Sequence, residues 1–170
     1  AFDEIDFGWG RPFSLERIEQ QLQNTTYHYI VFVHSETSNS MMNPLEALVK
    51  LANRYDAVVC ADCISSFGAA ELSLETLHYA TASSGKALGT LAGLAFVFCS
   101  KAPKQSDAPL YLNLPYYIEK NIPFTLPHFF VKAVNEALQA YPQRFQVLQK
   151  RAELVRSAKL PIVAASPIIA

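Results

Sequence analysis

The spacing of apolar and polar residues predicts two amphipathic helices in the first third of the chain. Apolar side chains recur every three or four positions in LERIEQQLQ, which follows the potential N-cap Ser14. The same spacing occurs in PLEALVKLANRY, where Asn43 is the predicted N-cap and Pro44 the first helical residue. Each helix therefore has one face that can be buried against another layer.

Short apolar runs flank the second of these helices. YHYIVFVHS and AVVCAD are rich in β-branched or aromatic residues, which is typical of buried strands. Strand, helix and strand in this order predict a βαβ unit with parallel strands. Two further strands are predicted at YATASS and GLAFVFCS, after an SSFGA turn and a short helical piece at LSLETLH. The predicted fold class is therefore α/β.

Helices are predicted for most of the chain after residue 100. They cover LYLNLPYYIEK, LPHFFVKAVNEALQAY and PQRFQVLQKRAELVRSA, with Pro127 and Pro142 in the first turns of the last two. TSNSMMN and SKAPKQSDAP are predicted loops. The apolar, strand-like run LPIVAASPIIA follows the last helix, and we expect the chain to be a piece of a longer protein.

Composition narrows the classes of function. The 170 residues are 51% hydrophobic with a net charge of -1, which fits one folded domain and offers no basic surface to nucleic acid. No apolar run approaches the ~18 residues of a membrane helix. The odd, low cysteine count favours a reducing compartment, and we expect a cytoplasmic protein. Cys60 and Cys63 are spaced for redox or metal chemistry, but no second pair completes a ligand set, so a structural role is favoured.

Two charged residues stand where predicted strands end. Asp62 ends AVVCAD and Lys86 follows YATASS, and the carboxyl ends of parallel strands meet at the edge where α/β sheets bind ligands. Considered separately, Asp62 could cap a turn and Lys86 could be a surface lysine. An acid and an amine at one edge together suit pyridoxal phosphate, because the amine forms a Schiff base and the acid keeps the ring nitrogen protonated.

Longer stretches resemble the class V pyridoxal-phosphate-dependent aminotransferases, a group with alanine–glyoxylate, serine–pyruvate and 2-aminoethylphosphonate transaminases. The similar segments are HSETSNSMMNPLEALVKLANRYDAVVCADCISSFGA, SSGKALGTLAGLAFVFCS with Gly93 seven residues after Lys86, and IPFTLPHFFVKAVNEAL. Together these matches span residues 7–155. The SSFG and MNP segments lean slightly towards the aminoethylphosphonate branch.

The resemblance implies both a fold and an activity. It implies that residues 1–155 form part of a fold-type I (aspartate aminotransferase-like) large domain and that residues 156–170 begin a small C-terminal domain. The sheet would be mostly parallel, with one antiparallel strand near GLAFVF. The implied protein is a homodimer that moves an amino group from a small donor (alanine, serine or 2-aminoethylphosphonate type) to a 2-oxo acid.

The same resemblance implies roles for individual residues. Lys86 forms the Schiff base and then moves a proton between the substrate Cα and the cofactor carbon, while Asp62 pairs with the ring nitrogen. Ile64 packs against the ring, and Thr37 contacts it near the phenolic oxygen. Thr125 reaches the phosphate of the cofactor in the neighbouring subunit.

Three positions depart from the family pattern. Gly85 stands where a polar residue normally precedes the lysine, Ser40 where a glycine is usual, and Leu91-Ala92 where the family has a proline-rich segment. The family's phosphate loop and carboxylate-binding arginine are expected outside these 170 residues, so we expect little activity from this chain alone. His34 could touch the ring, but a core or loop histidine is at least as plausible.

Two alternative functions stay open. One is a non-catalytic, degenerate homologue that acts in dimerisation, which Gly85 favours. The other is a different reaction on the same scaffold, such as cysteine desulfuration. That alternative lacks a cysteine in a predicted mobile loop, because all three cysteines lie in or beside predicted strands.

Overall fold

The computed structural model describes residues 2–121 and 123–158, and its architecture is α/β. The helices are α1 (Leu15–Asn24), α2 (Leu45–Arg54), α3 (Leu114–Lys120), α4 (His128–Gln139) and α5 (Tyr141–Ser157). The strands are β1 (Tyr29–Val33), β2 (Ser35–Glu36), β3 (Met41–Met42), β4 (Val58–Asp62), β5 (Tyr79–Ser83) and β6 (Ala95–Cys99).

Four strands form the main sheet in the order β1-β4-β5-β6. The first three are parallel, and β6 runs antiparallel to β5. The predicted mostly parallel sheet with an antiparallel strand at GLAFVF is therefore confirmed. Because β1, β4 and β5 end at the same edge, Asp62 and Ser83 both lie there.

One face of the sheet carries the core. Helices α1 and α2 contribute their apolar faces, as their spacing predicts, and alternate residues of the central strands face them. Leu48 and Ala52 of α2 are fully buried, as are Val59 of β4 and Ala80 of β5. This packing fixes the two central strands whose ends form the candidate site.

The caps of the two early helices differ from each other. Ser14 caps α1 as predicted, since its hydroxyl accepts a hydrogen bond from the Arg17 amide at 3.2 Å. Asn43 does not cap α2, which corrects the prediction. Its side-chain amide donates instead to the Val33 carbonyl at 2.7 Å, and Pro44 takes the N-cap position without a side-chain bond. Asn43 therefore ties the start of α2 to the end of β1.

Two local predictions are wrong. The predicted loop TSNSMMN contains β3, which pairs antiparallel with β2 to form a hairpin around residues 37–40. No helix forms over LSLETLH. Leu72 and Leu74 both pack on the core, and Leu74 lies in a turn that Thr76 closes by donating to the Ser73 carbonyl.

The three later helices are confirmed, with changes at their boundaries. Pro127, predicted in the first turn, is the N-cap of α4, and Pro142 lies in the first turn of α5 as predicted. LYLNLPYYIEK forms a 3₁₀ turn at Leu110–Leu112 and then α3, because the Asn113 side chain caps the helix at the Tyr116 amide. Helix α5 ends at Ser157. The LPIVAASPIIA run lies outside the described residues, and the division between residues 1–155 and 156–170 stays a prediction.

Candidate active site

The end of strand β4 presents a carboxylate in a fixed orientation. Asp62 Oδ1 accepts a hydrogen bond from the Ile64 amide at 2.9 Å and another from the Thr81 hydroxyl at 3.3 Å. Thr81 lies directly opposite Asp62 in the parallel pairing of β4 and β5. Within residues 2–121 and 123–158, no hydrogen bond is made to Oδ2. The half-buried carboxylate is thus oriented through one oxygen while the other remains available to a ligand.

The turn that follows Asp62 is held from beneath by buried groups. The Cys63 amide donates to the Thr81 carbonyl at 3.0 Å, and the Phe67 amide donates to the Cys63 carbonyl at 2.8 Å. Ser66 is fully buried, and its hydroxyl lies 2.9 Å from His34 Nδ1. The backbone of this turn is therefore fixed on β5 and on the end of β1.

His34 is a buried structural residue in this arrangement. Its side chain is 4% exposed, its amide donates to the Asp62 carbonyl at 2.9 Å, and its ring contacts Ser66. Burial lowers the pKa of His34 from its ordinary value of 6.5. The interpretation as a core or loop histidine agrees with this burial, and the neutral ring supports the Asp62 turn.

Lys86 is exposed in a loop that Ser84 closes. The Ser84 amide donates to the Leu94 carbonyl at 3.0 Å, and its buried hydroxyl accepts from the Leu94 amide at 3.1 Å and donates to the Leu91 carbonyl at 2.6 Å. A turn at Lys86 is closed by the Gly89 amide at 2.8 Å. The loop therefore has an ordered base, with Lys86 exposed two residues after Ser84.

The Asp62 turn and the Lys86 loop touch each other through a glycine. Gly68 has a φ of +89°, and a Cβ there would lie 2.8 Å from the Leu88 nitrogen and 3.0 Å from the Ala87 carbonyl carbon. Only a residue without a side chain allows this approach. The acid and the amine are thus carried by two segments in direct backbone contact.

Two of the departures from the family pattern are physically linked. A Cβ at Gly85 would lie 2.5 Å from the Ala92 Cβ and 2.7 Å from its Cα. Any side chain before Lys86 would therefore collide with the segment that replaces the proline-rich one. Gly85 and Leu91-Ala92 form one alternative packing of the loop.

The remaining predicted site residues, Ile64, Thr37 and Thr125, differ in whether they contact Asp62. Ile64 is half-buried and donates its amide to Asp62. Thr37 is exposed in the turn between β2 and β3, and Thr125 is exposed between α3 and α4. In the described parts of the chain, neither threonine side chain forms a hydrogen bond to Asp62 or Lys86. The structure thus joins Ile64 with Asp62 and leaves both threonines on the surface.

Sequence reasoning missed Thr81, which orients Asp62. A threonine inside a predicted strand has an ordinary β-branched interpretation. Only the strand register shows that it faces Asp62, and register depends on the pairing of two strands. The alternation in YATASS, which points Thr81 and Ser83 to the same face, was the available signal.

The cysteines have no reactive environment. All three are free thiols, and Cys63 beside the site is 1% exposed. Burial raises its pKa to about 11, with the hydrogen bond to Ser66 acting the other way and the charge of Asp62 adding to the increase. Burial also raises the pKa of Cys60 and Cys99. Each thiol is therefore held in its protonated, weakly nucleophilic form at neutral pH.

Comparison with known proteins identifies the family. The profile of the family described as Aminotransferase class-V matches residues 8–113. The 2-aminoethylphosphonate–pyruvate transaminase of Pseudomonas aeruginosa is 30% identical over 156 residues, covering 78% of this chain and 42% of the relative. The Klebsiella pneumoniae transaminase of the same name is 41% identical over 88 residues, covering 50% of this chain and 24% of the relative.

Solved structures agree in fold. The alanine–glyoxylate aminotransferase of Nostoc sp. has a TM-score of 0.78 at 25% identity, covering 88% of this chain and 45% of that protein. The pyridoxamine–pyruvate aminotransferase of Mesorhizobium loti has a TM-score of 0.75 at 21% identity, covering 96% of this chain and 49% of that protein.

The chain belongs to the class V aminotransferase family and has the fold-type I architecture. It spans less than half the length of the relatives named here. No helix in the described ranges is long and apolar enough to cross a membrane.

Proposed function

We propose that this chain carries the cofactor-bearing part of a pyridoxal-phosphate-dependent aminotransferase. In this proposal Lys86 attaches the cofactor and Asp62 binds its ring nitrogen. The main support is the hydrogen bonding of Asp62: its Oδ1 accepts from the Ile64 amide and the Thr81 hydroxyl, while Oδ2 remains available. A carboxylate oriented in this way is suited to hold one N–H donor at a fixed position.

The residues present fit the ring end of this cofactor. An available carboxylate oxygen, a half-buried Ile64 and an exposed amine lie on two segments that touch at Gly68. The phosphate end has less support within the chain, since Gly85 brings no side chain and Ala92 fills the space beside it. Thr125 of a neighbouring subunit is the proposed donor there. When bound, the cofactor supplies an electron sink for the substrate carbanion.

Each residue has one task in the proposed mechanism. The Lys86 amine would hold the cofactor through its aldehyde and, once released by the substrate amine, would take the proton from the amino-bearing carbon of the substrate and deliver it to the cofactor carbon. The Asp62 carboxylate keeps a proton on the ring nitrogen. Ile64 would cover one face of the ring, and Thr37 would donate near its phenolic oxygen. Thr81 and the Ile64 amide keep the carboxylate from rotating.

The proposed reaction transfers an amino group from a small donor to a 2-oxo acid. Among the alanine, serine and 2-aminoethylphosphonate types, we favour the last as donor. The similarity to transaminases named for 2-aminoethylphosphonate and pyruvate, at 30% and 41% identity, supports this choice. Three free cysteines are compatible with a reducing, cytoplasmic location.

A homodimer is part of the proposal. Exposed apolar side chains flank Thr125, with Phe124 37% and Leu126 41% exposed, and the ring of Tyr111, which is 71% exposed, lies 5.3 Å from the ring of Phe124. Such a patch is typical of an interface. A second copy that covers it would bring Thr125 to the neighbouring site.

Borohydride trapping tests the assignment of Lys86. The chain is incubated with pyridoxal phosphate, reduced, digested and mapped by mass spectrometry, with Lys86→Ala and the exposed-loop variant Lys101→Ala as a matched pair. We expect the label on Lys86. Labelling should be lost in Lys86→Ala and unchanged in Lys101→Ala. Label spread over other lysines with Lys86 unmodified would overturn the proposal. Absence of any label would favour the degenerate homologue.

Cysteine desulfuration has less support. The reaction needs a nucleophilic thiol that can reach the substrate. Cys63 is buried with a raised pKa, and Cys60 and Cys99 lie within strands. Cys63 is the one cysteine outside a strand, and it is buried in the turn after β4, where a substrate cannot reach it.

A further inference from the structure

Helix α5 reaches both segments of the candidate site through side chains. Arg144 Nη1 donates to the Leu88 carbonyl at 2.6 Å, in the loop that carries Lys86. Gln149 Nε2 donates to the Ala69 carbonyl at 2.8 Å, in the turn that follows Asp62. The two donors are separated by five residues, or about 7.5 Å along the helix axis. One rigid element therefore bonds to both segments.

The acceptors of these bonds have little other access to hydrogen-bonding partners. Ala69 is fully buried and Leu88 is 1% exposed, so their carbonyls need a protein donor. The two residues also adjoin the place where Gly68 packs against the Leu88 nitrogen. Arg144 and Gln149 thus bond on either side of the contact between the Asp62 turn and the Lys86 loop.

Arg144 and Gly89 are both exposed, but the Arg144 guanidinium occupies a defined position against this glycine. A Cβ at Gly89 would lie 1.6 Å from Arg144 Nη2, so the guanidinium occupies the space that a side chain would take. Ala152, which is 2% exposed, anchors the same helix. The helix is therefore held by packing as well as by its two polar bonds.

We propose that Arg144 and Gln149 are positioning residues that fix the Lys86 loop relative to the Asp62 turn. This inference rests on the proposed roles of Lys86 and Asp62. Both hydrogen bonds are accepted by backbone carbonyls, so they set where the two segments lie. The side chains of Lys86 and Asp62 take no part in them and remain free for the cofactor. Losing either bond would loosen the spacing between the amine and the carboxylate, on which attachment and proton transfer depend.

The test compares variants on one helix. Arg144→Met and Gln149→Glu remove the donors at similar size, Arg144→Lys keeps a donor, and Arg151→Met and Gln143→Glu are controls at exposed positions of α5. The first readout is hydrogen–deuterium exchange of residues 84–94 and 63–70 without cofactor. The second is the rate at which pyridoxal phosphate becomes reducibly attached to Lys86, measured beside the unfolding midpoint.

We expect Arg144→Met to raise exchange in residues 84–94 and slow attachment by about three- to tenfold, the range for one lost hydrogen bond. Gln149→Glu should raise exchange in residues 63–70 and slow attachment similarly, Arg144→Lys should recover most of the rate, and the controls should match the parent chain. If Arg144→Met does not fold, Arg144→Lys and Gln149→Glu still carry the comparison.

Two failures are distinguishable. Attachment to Lys86 at the parent rate in Arg144→Met and Gln149→Glu, or equal slowing in the controls, overturns the positioning role. A parent chain that never attaches cofactor at Lys86 overturns the proposed function instead, and the exchange measurement then decides whether α5 holds the two loops.

Discussion

At the scale of the residue, the chemistry of the candidate site depends on how Asp62 is held. Its Oδ1 is bound by Thr81 and the Ile64 amide, and its backbone carbonyl accepts from His34. These contacts would survive replacement by an amide of the same shape. The charge would not, and the charge is what a protonated ring nitrogen requires.

Asp62→Asn should therefore cost activity far more than stability. An amide oxygen can still accept from Ile64 and Thr81, so we expect the free energy of unfolding to change by less than about 1 kcal/mol. Loss of one opposite charge shifts the pKa of a neighbouring group by ~1–3 units, so turnover in a full-length relative of this chain should fall by ten- to a thousandfold. Thr81→Val keeps the charge of Asp62 and removes one of its hydrogen bonds, so its turnover should lie between those of the parent and Asp62→Asn. Unchanged turnover in Asp62→Asn would refute the role.

A second residue, His78, makes stability depend on pH. Its Nδ1 accepts a hydrogen bond from the Val59 amide at 2.9 Å, which only the neutral ring can do. Burial and, to a smaller extent, the charge of Lys101 lower the pKa of His78 from its ordinary value of 6.5. The unfolded chain then binds a proton more readily than the folded one, so stability is present above pH 6.5 and is lost as pH falls.

Urea unfolding at pH 7.5 and 5.5 measures this effect. We expect the parent chain to lose stability at pH 5.5 and His78→Gln, whose amide oxygen accepts without titrating, to lose less. His34, whose pKa is lowered by burial, contributes with the same sign and remains in both proteins. An equal loss in the two proteins would show that His78 does not titrate in this window.

At the scale of the element, the sequence predicted best where periodicity and caps agree. Helix α1 begins at Ser14 as predicted, and β4 and β5 follow their apolar alternation. The hairpin of β2 and β3 was missed because strands of two residues carry no periodicity. Leucines at 72, 74 and 77 were misassigned because a short apolar run suits helix and extended chain alike.

In the candidate site too, features with a local sequence signal could be predicted and features set by long-range packing could not. Strand ends could be predicted, so the sequence alone was enough to propose Asp62 and Lys86 as candidates. The partners Thr81, His34, Arg144 and Gln149 depend on register and on helix placement, which arise from long-range packing.

The β2–β3 hairpin supplies a prediction at this scale. Ser40 occupies the left-handed region at φ 57°, where the family usually has glycine. That conformation destabilises the folded state by ~1–2 kcal/mol for a non-glycine residue. Replacing Ser40 by glycine removes this strain, but the greater flexibility of glycine in the unfolded chain offsets about 0.5–1 kcal/mol of the gain. Ser40→Gly should therefore raise the free energy of unfolding by ~0.5–1 kcal/mol. Ser38→Gly, in the same turn without a positive φ, should lower it; a gain in both variants would contradict the strain argument.

At the scale of the whole molecule, the chain holds one side of the proposed chemistry. The amine and the carboxylate are both within it. The alignment with the Pseudomonas aeruginosa transaminase covers 42% of that protein, which is more than twice as long as this chain. The phosphate loop and the carboxylate-binding arginine are expected from other parts of the family's chain. Cofactor attachment and turnover should therefore separate in this chain.

The 170-residue chain alone should attach pyridoxal phosphate at Lys86 and turn over little or no substrate. Phosphate recognition normally relies on backbone donors at a helix N-terminus, and Gly85 adds no side chain because Ala92 fills the adjacent space. Each missing charge-assisted hydrogen bond costs ~1.5–3 kcal/mol, so several together weaken cofactor binding by orders of magnitude. The resemblance implies that the clamp for the acidic group of the substrate comes from another part of the family's chain, and without it the proton on the amino-bearing carbon would not be brought to the Lys86 amine.

A coupled assay with saturating pyridoxal phosphate measures turnover with alanine, serine and 2-aminoethylphosphonate as donors and pyruvate as acceptor. Lys86→Ala sets the background, and borohydride trapping on the same samples reports attachment. Because the cofactor is saturating, weak phosphate binding cannot by itself abolish the signal, and the missing substrate contacts remain as the cause of low turnover. Robust turnover above the Lys86→Ala background with any donor would mean that the chain holds the acidic group of that substrate, carboxylate or phosphonate, with its own residues.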